Sequence, residues 1–92
     1  MRESSAAQAW WDRFQGLLDQ DRSWPSEYTF KFIVPRSQLD ALQAVFGDHP
    51  VVVRASTRGR YVSVTAHIRM ESSSDVVELY RTAGDIPGLI SL

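Results

Sequence analysis

The stretch that most limits how this chain can fold is residues 51–70, VVVRASTRGRYVSVTAHIRM. Val51, Val53 and Ala55 alternate with Val52, Arg54 and Ser56. After Thr57-Arg58-Gly59-Arg60, a second run sets Val62, Val64, Ala66, Ile68 and Met70 against Tyr61, Ser63, Thr65, His67 and Arg69. A period of two sends successive side chains to opposite faces of a strand, so each run has one face to bury and one polar face. Gly59 between two arginines marks the turn, because glycine accepts the positive φ that a tight hairpin requires. The rest of the chain is read as arranged around this hairpin.

Upstream, Glu27 to Val34 forms a strand by the same period. Tyr28, Phe30, Phe32 and Val34 share one face, and Glu27, Thr29, Lys31 and Ile33 the other. Its density of aromatic and β-branched residues suits a central strand. Pro35 stops it. Ser37, with Asp40 three positions on, has the spacing of a helix cap, and Leu39, Leu42, Val45 and Phe46 form the stripe that follows. Gly47 is placed to supply a left-handed stop. Ser72 and Asp75 repeat the cap spacing before Val76, Leu79, Tyr80 and Ala83, with Gly84 as the stop. Ile86 to Leu92 reads as a short final strand, with Pro87 at its start or at a sheet edge because proline lacks an amide proton.

The order is β-α-β-β-α-β. Right-handed crossovers then put both helices on one face of a four-stranded antiparallel sheet, a ferredoxin-like α+β sandwich of two layers. The opposite face shows Thr29, Lys31, Ile33, Arg54, Ser56, Tyr61, Ser63, Thr65, His67 and Arg69. Ahead of this unit, Ala7, Trp10, Trp11, Phe14, Leu17 and Leu18 follow the three-and-four spacing of an amphipathic helix over residues 6–19. Ser4 or Ser5 is positioned to cap it. Gly16 within the pattern weakens the helix by about 1 kcal/mol relative to alanine. The helix is therefore expected to dock on its own domain, against a helix or a sheet edge, with a partner-binding helix as the alternative. Residues 1–23 are read as helix and linker, and 24–92 as the domain.

Composition bounds the function. The chain has 92 residues, no cysteine and a net charge of −1. Disulfides and thiolate chemistry are excluded. No apolar run approaches the roughly 20 residues of a membrane span, and the start lacks the apolar core of a secretion signal. A cytoplasmic protein without a membrane partner is expected. The charge is unevenly spread: residues 49–70 hold Arg54, Arg58, Arg60 and Arg69 with no acid, formally +4, against −5 for the rest. Such asymmetry steers an anionic partner, or keeps strand edges soluble.

Catalytic patterns are sparse. His49 and His67 are too far apart in the pattern to pair as metal ligands, and no cysteine supports them. No serine has a histidine and a carboxylate nearby in sequence, and no glycine-rich phosphate loop follows a strand. Arg58-Gly59-Arg60 is too short to specify phosphate. A non-enzyme without cofactor or metal is the expectation.

Three stretches carry a resemblance. Trp24-Pro25-Ser26-Glu27-Tyr28 with Phe30-Lys31-Phe32-Ile33-Val34-Pro35, the run from Ser56 to Val64, and Tyr80 with Ile86 to Leu92 are similar to the YbeD-like family of small bacterial proteins of unknown function. The resemblance covers roughly residues 24–92. It implies a ferredoxin-like domain akin to the ligand-binding regulatory ACT domains, and it brings no catalytic residues.

Two functions fit. One is a regulatory or adaptor domain, monomeric or weakly dimeric, that binds a small effector or a protein partner. The other is single-stranded RNA binding through the polar face, as in RRM domains. The residues expected to carry either are Lys31, Arg54, Ser56, Arg58, Gly59, Arg60, Tyr61, Ser63, His67 and Arg69. An RRM face stacks bases on two or three rings, and here Tyr61 stands alone, so the adaptor ranks first.

Overall fold

The computed structural model describes residues 2–92, with side chains from residue 6 onward. The elements are α1 (Arg2–Asp21), β1 (Ser26–Pro35), a 3-10 turn (Arg36–Gln38), α2 (Leu39–Phe46), β2 (Val52–Ala55), β3 (Tyr61–Met70), α3 (Ser73–Gly84) and β4 (Ile90–Ser91). The strands form one antiparallel sheet in the order β2-β3-β1-β4. This is the ferredoxin-like arrangement, with the helices on one face.

Register decides the faces. Phe30 pairs with Ala66, Phe32 with Val64 and Val34 with Val62, so the apolar sets of both long strands lie on the same side. All six are buried. Leu42 and Phe46 of α2 close over them, with the Phe46 ring 6.1 Å from that of Phe30 and 6.0 Å from that of Phe32. Val76, Val77 and Ala83 of α3 complete the core. The α3 start is capped as the spacing requires: the Ser72 Oγ accepts from the Asp75 backbone N–H at 3.2 Å.

The N-terminal helix packs against α3, as expected of an apolar stripe that needs cover. Leu18 is buried, and the Phe14 ring meets Tyr80 at 5.6 Å. The Arg81 guanidinium lies 5.6 Å from the centroid of Trp11 and donates to the Gln8 side chain. Tyr80 thereby joins α1 to the core, since its ring is also 5.3 Å from Phe30. Its phenol shares a 3.0 Å hydrogen bond with that of Tyr28. Burial, reinforced by that bond, pushes the Tyr80 phenol well above its ordinary pKa.

Four local expectations are corrected. The first helix extends over Arg2–Asp21 rather than 6–19, so Ser4 and Ser5 fall inside its span; their side chains lie outside the described residues. Ser37 does not cap α2. The Arg36 backbone N–H is tied to the Arg60 carbonyl at 2.8 Å, so the chain turns at once into the 3-10 segment. Gln38 then precedes α2 without a side-chain cap. Gly47 ends α2 at a positive φ of 62°, although its ψ of −127° lies outside the left-handed helical region, and Gly84 is the last residue of α3 but takes no positive φ. That helix leaves through right-handed geometry at Asp85, and the positive φ falls on Gly88 at 78°. A Cβ at Gly88 would stand 2.7 Å from Pro35 Cγ. The turn around Pro87 and Gly88, closed by Leu89 N–H to Ile86 carbonyl at 3.3 Å, shortens the final strand to Ile90–Ser91.

Candidate functional site

With all three helices on one side, the other face of the sheet is uncovered. Odd-numbered residues of β1 and β3 point to it. Across that face, Glu27 stands opposite Arg69, Thr29 opposite His67, Lys31 opposite Thr65, Ile33 opposite Ser63, and Pro35 opposite Tyr61. From β2, Val52 joins Thr65, and Arg54 joins Ser63; from β4, Ile90 joins Ile33. The Leu92 N–H donates to the Lys31 carbonyl at 2.9 Å, which continues the β4 pairing.

The candidate residues divide into three groups rather than one site. Tyr61 and Arg69 are eight residues apart on β3, about 26 Å at the rise of an antiparallel strand. At one end, the His67 Nδ1 and Thr29 Oγ1 share a 2.8 Å hydrogen bond, and Arg69 faces Glu27. Lys31, opposite Thr65, stands apart between the two ends. Toward the other end, beside the turn, Ile33, Arg54, Ser56, Tyr61 and Ser63 line a shallow hollow of about 120 Å³. Its rim is formed by an exposed tyrosine ring and the exposed Arg54. The third group is the turn, with Arg58, Gly59 and Arg60.

That turn is held by several bonds. Ser56 N–H donates to the Tyr61 carbonyl at 2.8 Å, and Gly59 N–H to the Ser56 carbonyl at 3.0 Å. The Ser56 Oγ accepts from the Tyr61 N–H. Arg36 reaches over from beyond β1 and donates its Nε–H to the Gly59 carbonyl at 2.7 Å. Gly59 itself sits at φ 73°, as the hairpin pattern requires. Arg36 thus adds a fourth guanidinium to the end bearing Arg54, Arg58 and Arg60. Among the described residues, the ion pair within 4.0 Å is that of Arg22 with Asp21, so these four have no carboxylate partner.

Sequence reasoning missed Arg36, Val52, Ile90 and Leu92. Pairing Pro35 with Tyr61 brings Arg36 to the turn, a neighbourhood readable only once the register is known. Val52 is 55% exposed and Leu92 64% exposed. With Ile33, Tyr61 and Ile90 they make the open face more apolar than the alternation alone suggested.

Other hollows lie among the helices. A polar groove of about 430 Å³ separates α1 from α3, beside Gln8, Gln15, Glu78 and Arg81. An aromatic hollow of about 160 Å³ is lined by Trp10, Trp11, Phe14, Tyr80 and Ser91. Among the described residues no group of three His, Cys, Asp or Glu side chains is placed to hold a metal ion. No helix among them is long and apolar enough to cross a membrane.

Comparison with known proteins places the chain in a sequence family. Residues 20–91 match the profile of a family described as "Protein of unknown function (DUF493)". A UPF0250 protein of the bacterium Idiomarina loihiensis is 32% identical over 81 residues, covering 80% of this chain and 88% of the relative. No solved structure matches the chain.

Proposed function

The chain belongs to the DUF493/UPF0250 family, the YbeD-like proteins of unknown function, and from that premise we propose that it is a non-enzymatic adaptor domain that docks a protein partner on its open sheet side. One observation carries this reading. Each strand contributes exposed or half-exposed apolar side chains to that side: Val52, Tyr61, Ile33 and Ile90, set among Lys31, Arg54 and Arg69. Apolar area framed by charge is the surface expected of a protein interface. On this face a small effector is less well served. Binding sites for small molecules are concave and enclose about 300–1,000 Å³, whereas the hollow on this face holds about 120 Å³.

Single-stranded RNA is the second reading, favoured by Tyr61 standing exposed beside Arg54 and near Arg58 and Arg60. Against it, stacking platforms use several rings, and Tyr61 is the one aromatic ring of Phe, Tyr or Trp on this face among the described residues. A pull-down from native lysate with the intact chain, analysed for protein and nucleic acid, tests both. A discrete protein at fixed stoichiometry, lost with Tyr61→Ala/Arg54→Glu, is the expected result. Bulk RNA released by salt would replace the adaptor reading with the second one.

A further inference from the structure

We propose that the outer edge of β2 is the docking strand, and that it takes an acidic, extended segment of the partner as a fifth strand of the sheet. This rests on the adaptor reading and specifies where the partner binds and its chemistry. In sheet order β2 lies at the edge beyond β3. Antiparallel ladders alternate bonded and non-bonded pairs. Because Ser56 N–H reaches the Tyr61 carbonyl, Arg54–Ser63 and Val52–Thr65 are also bonded pairs. Val53 and Ala55 therefore aim their N–H and C=O groups away from β3, into solvent. Every residue of β2 is exposed. The helices leave even Val53, on their own side of the sheet, 39% exposed.

Charge sets the occupant. Arg54 projects from β2 on the open face, with Arg58 and Arg60 at the adjoining turn and Arg36 bound beneath it. No acid occurs between His49 and Met70. A strand added along this edge passes Arg54 and reaches the end of the sheet where the turn carries Arg58 and Arg60. Alternation in the added strand places carboxylates beside Arg54 on one face and apolar side chains beside Val53 on the other. Main-chain pairing then supplies affinity, and side-chain alternation supplies selectivity. A second copy is a poorer occupant. Pairing about Val53 would set the Arg54 side chains of both chains on one face with no carboxylate between them. RNA is poorer too, because the edge offers backbone groups and no ring on which a base stacks.

The test uses the full chain, labelled for amide NMR, and the probe acetyl-Val-Glu-Val-Asp-Val-Glu-amide, with a control in which lysine replaces each acid. The expected result is saturable binding that protects the Val53 and Ala55 amides from exchange, with no binding of the control. Arg54→Glu should weaken it about tenfold or more. Val53→Pro removes an outward N–H but no bond to β3, so it should abolish binding while leaving the fold intact. Should that variant fail to fold, protection of the two amides in the parent decides the matter alone. Equal binding of the lysine peptide, dimerisation through β2, or protection of the same amides by oligouridylate would overturn the proposal. So would no binding of the acidic peptide. Shifts confined to Lys31, Ile33 and Tyr61 would overturn the β2 edge and leave the adaptor reading standing.

Discussion

Gly59 is held at φ 73°, where a side chain is strained, and a Cβ there would also touch the Arg36 guanidinium at 3.5 Å. Gly59→Val is expected to lower stability by about 1–3 kcal/mol, although the turn is at the surface. An unchanged thermal midpoint would mean that the turn tolerates an L side chain. Gly16 is the opposite case: it lies within α1 with nothing within 4 Å of an added Cβ. Gly16→Ala should therefore stabilise the protein by about 0.5–1 kcal/mol, read as a rise in the urea midpoint. The sequence distinguished some of these roles and not others. Gly59 was legible because two alternating runs meet at it. Gly84 and Gly88 were not separable, because the one that turns is chosen by its approach to Pro35, a contact made across the fold.

At the scale of elements, β1 is the strand on which the core is assembled, since it pairs with both β3 and β4 and carries Phe30, Phe32 and Val34 fully buried. Phe32→Ala should cost about 3–5 kcal/mol, enough to unfold much of a domain this small at ambient temperature. A variant that melts like the parent would contradict the register with Val64. The N-terminal helix gives a finer test. Trp11 is half-buried under Arg81, whereas Trp10 is 53% exposed. In Trp11→Phe the Trp10 contribution to emission should remain at solvent-exposed wavelengths, and in Trp10→Phe the Trp11 contribution should be shifted to the blue. Identical spectra from the two variants would refute the docking seen here. Periodicity revealed the stripe on α1 and its need for cover. It could not reveal which rings α3 covers, because the stripe is wider than the contact and Leu17 stays exposed.

Over the whole molecule, the two-layer topology followed from the order of elements, because crossover handedness leaves few alternatives. The candidate surface was legible as a face but not as a site. Alternation says which side a residue occupies, and only the register shows that His67 is engaged with Thr29 while Arg54 and Tyr61 share a hollow with Ile33. The placement of α1 matters here as well: stacked beside α3, it leaves the open side of the sheet uncovered. The two margins of the sheet are also unequal. β2 offers four residues, whereas β4 offers two, reached through a turn at Pro87 and Gly88. Head-to-tail growth of sheets into fibres needs a good template at both ends of every unit. If β2 takes the partner strand proposed above, the molecule would act there as a chain terminator, completing another protein's sheet at one margin.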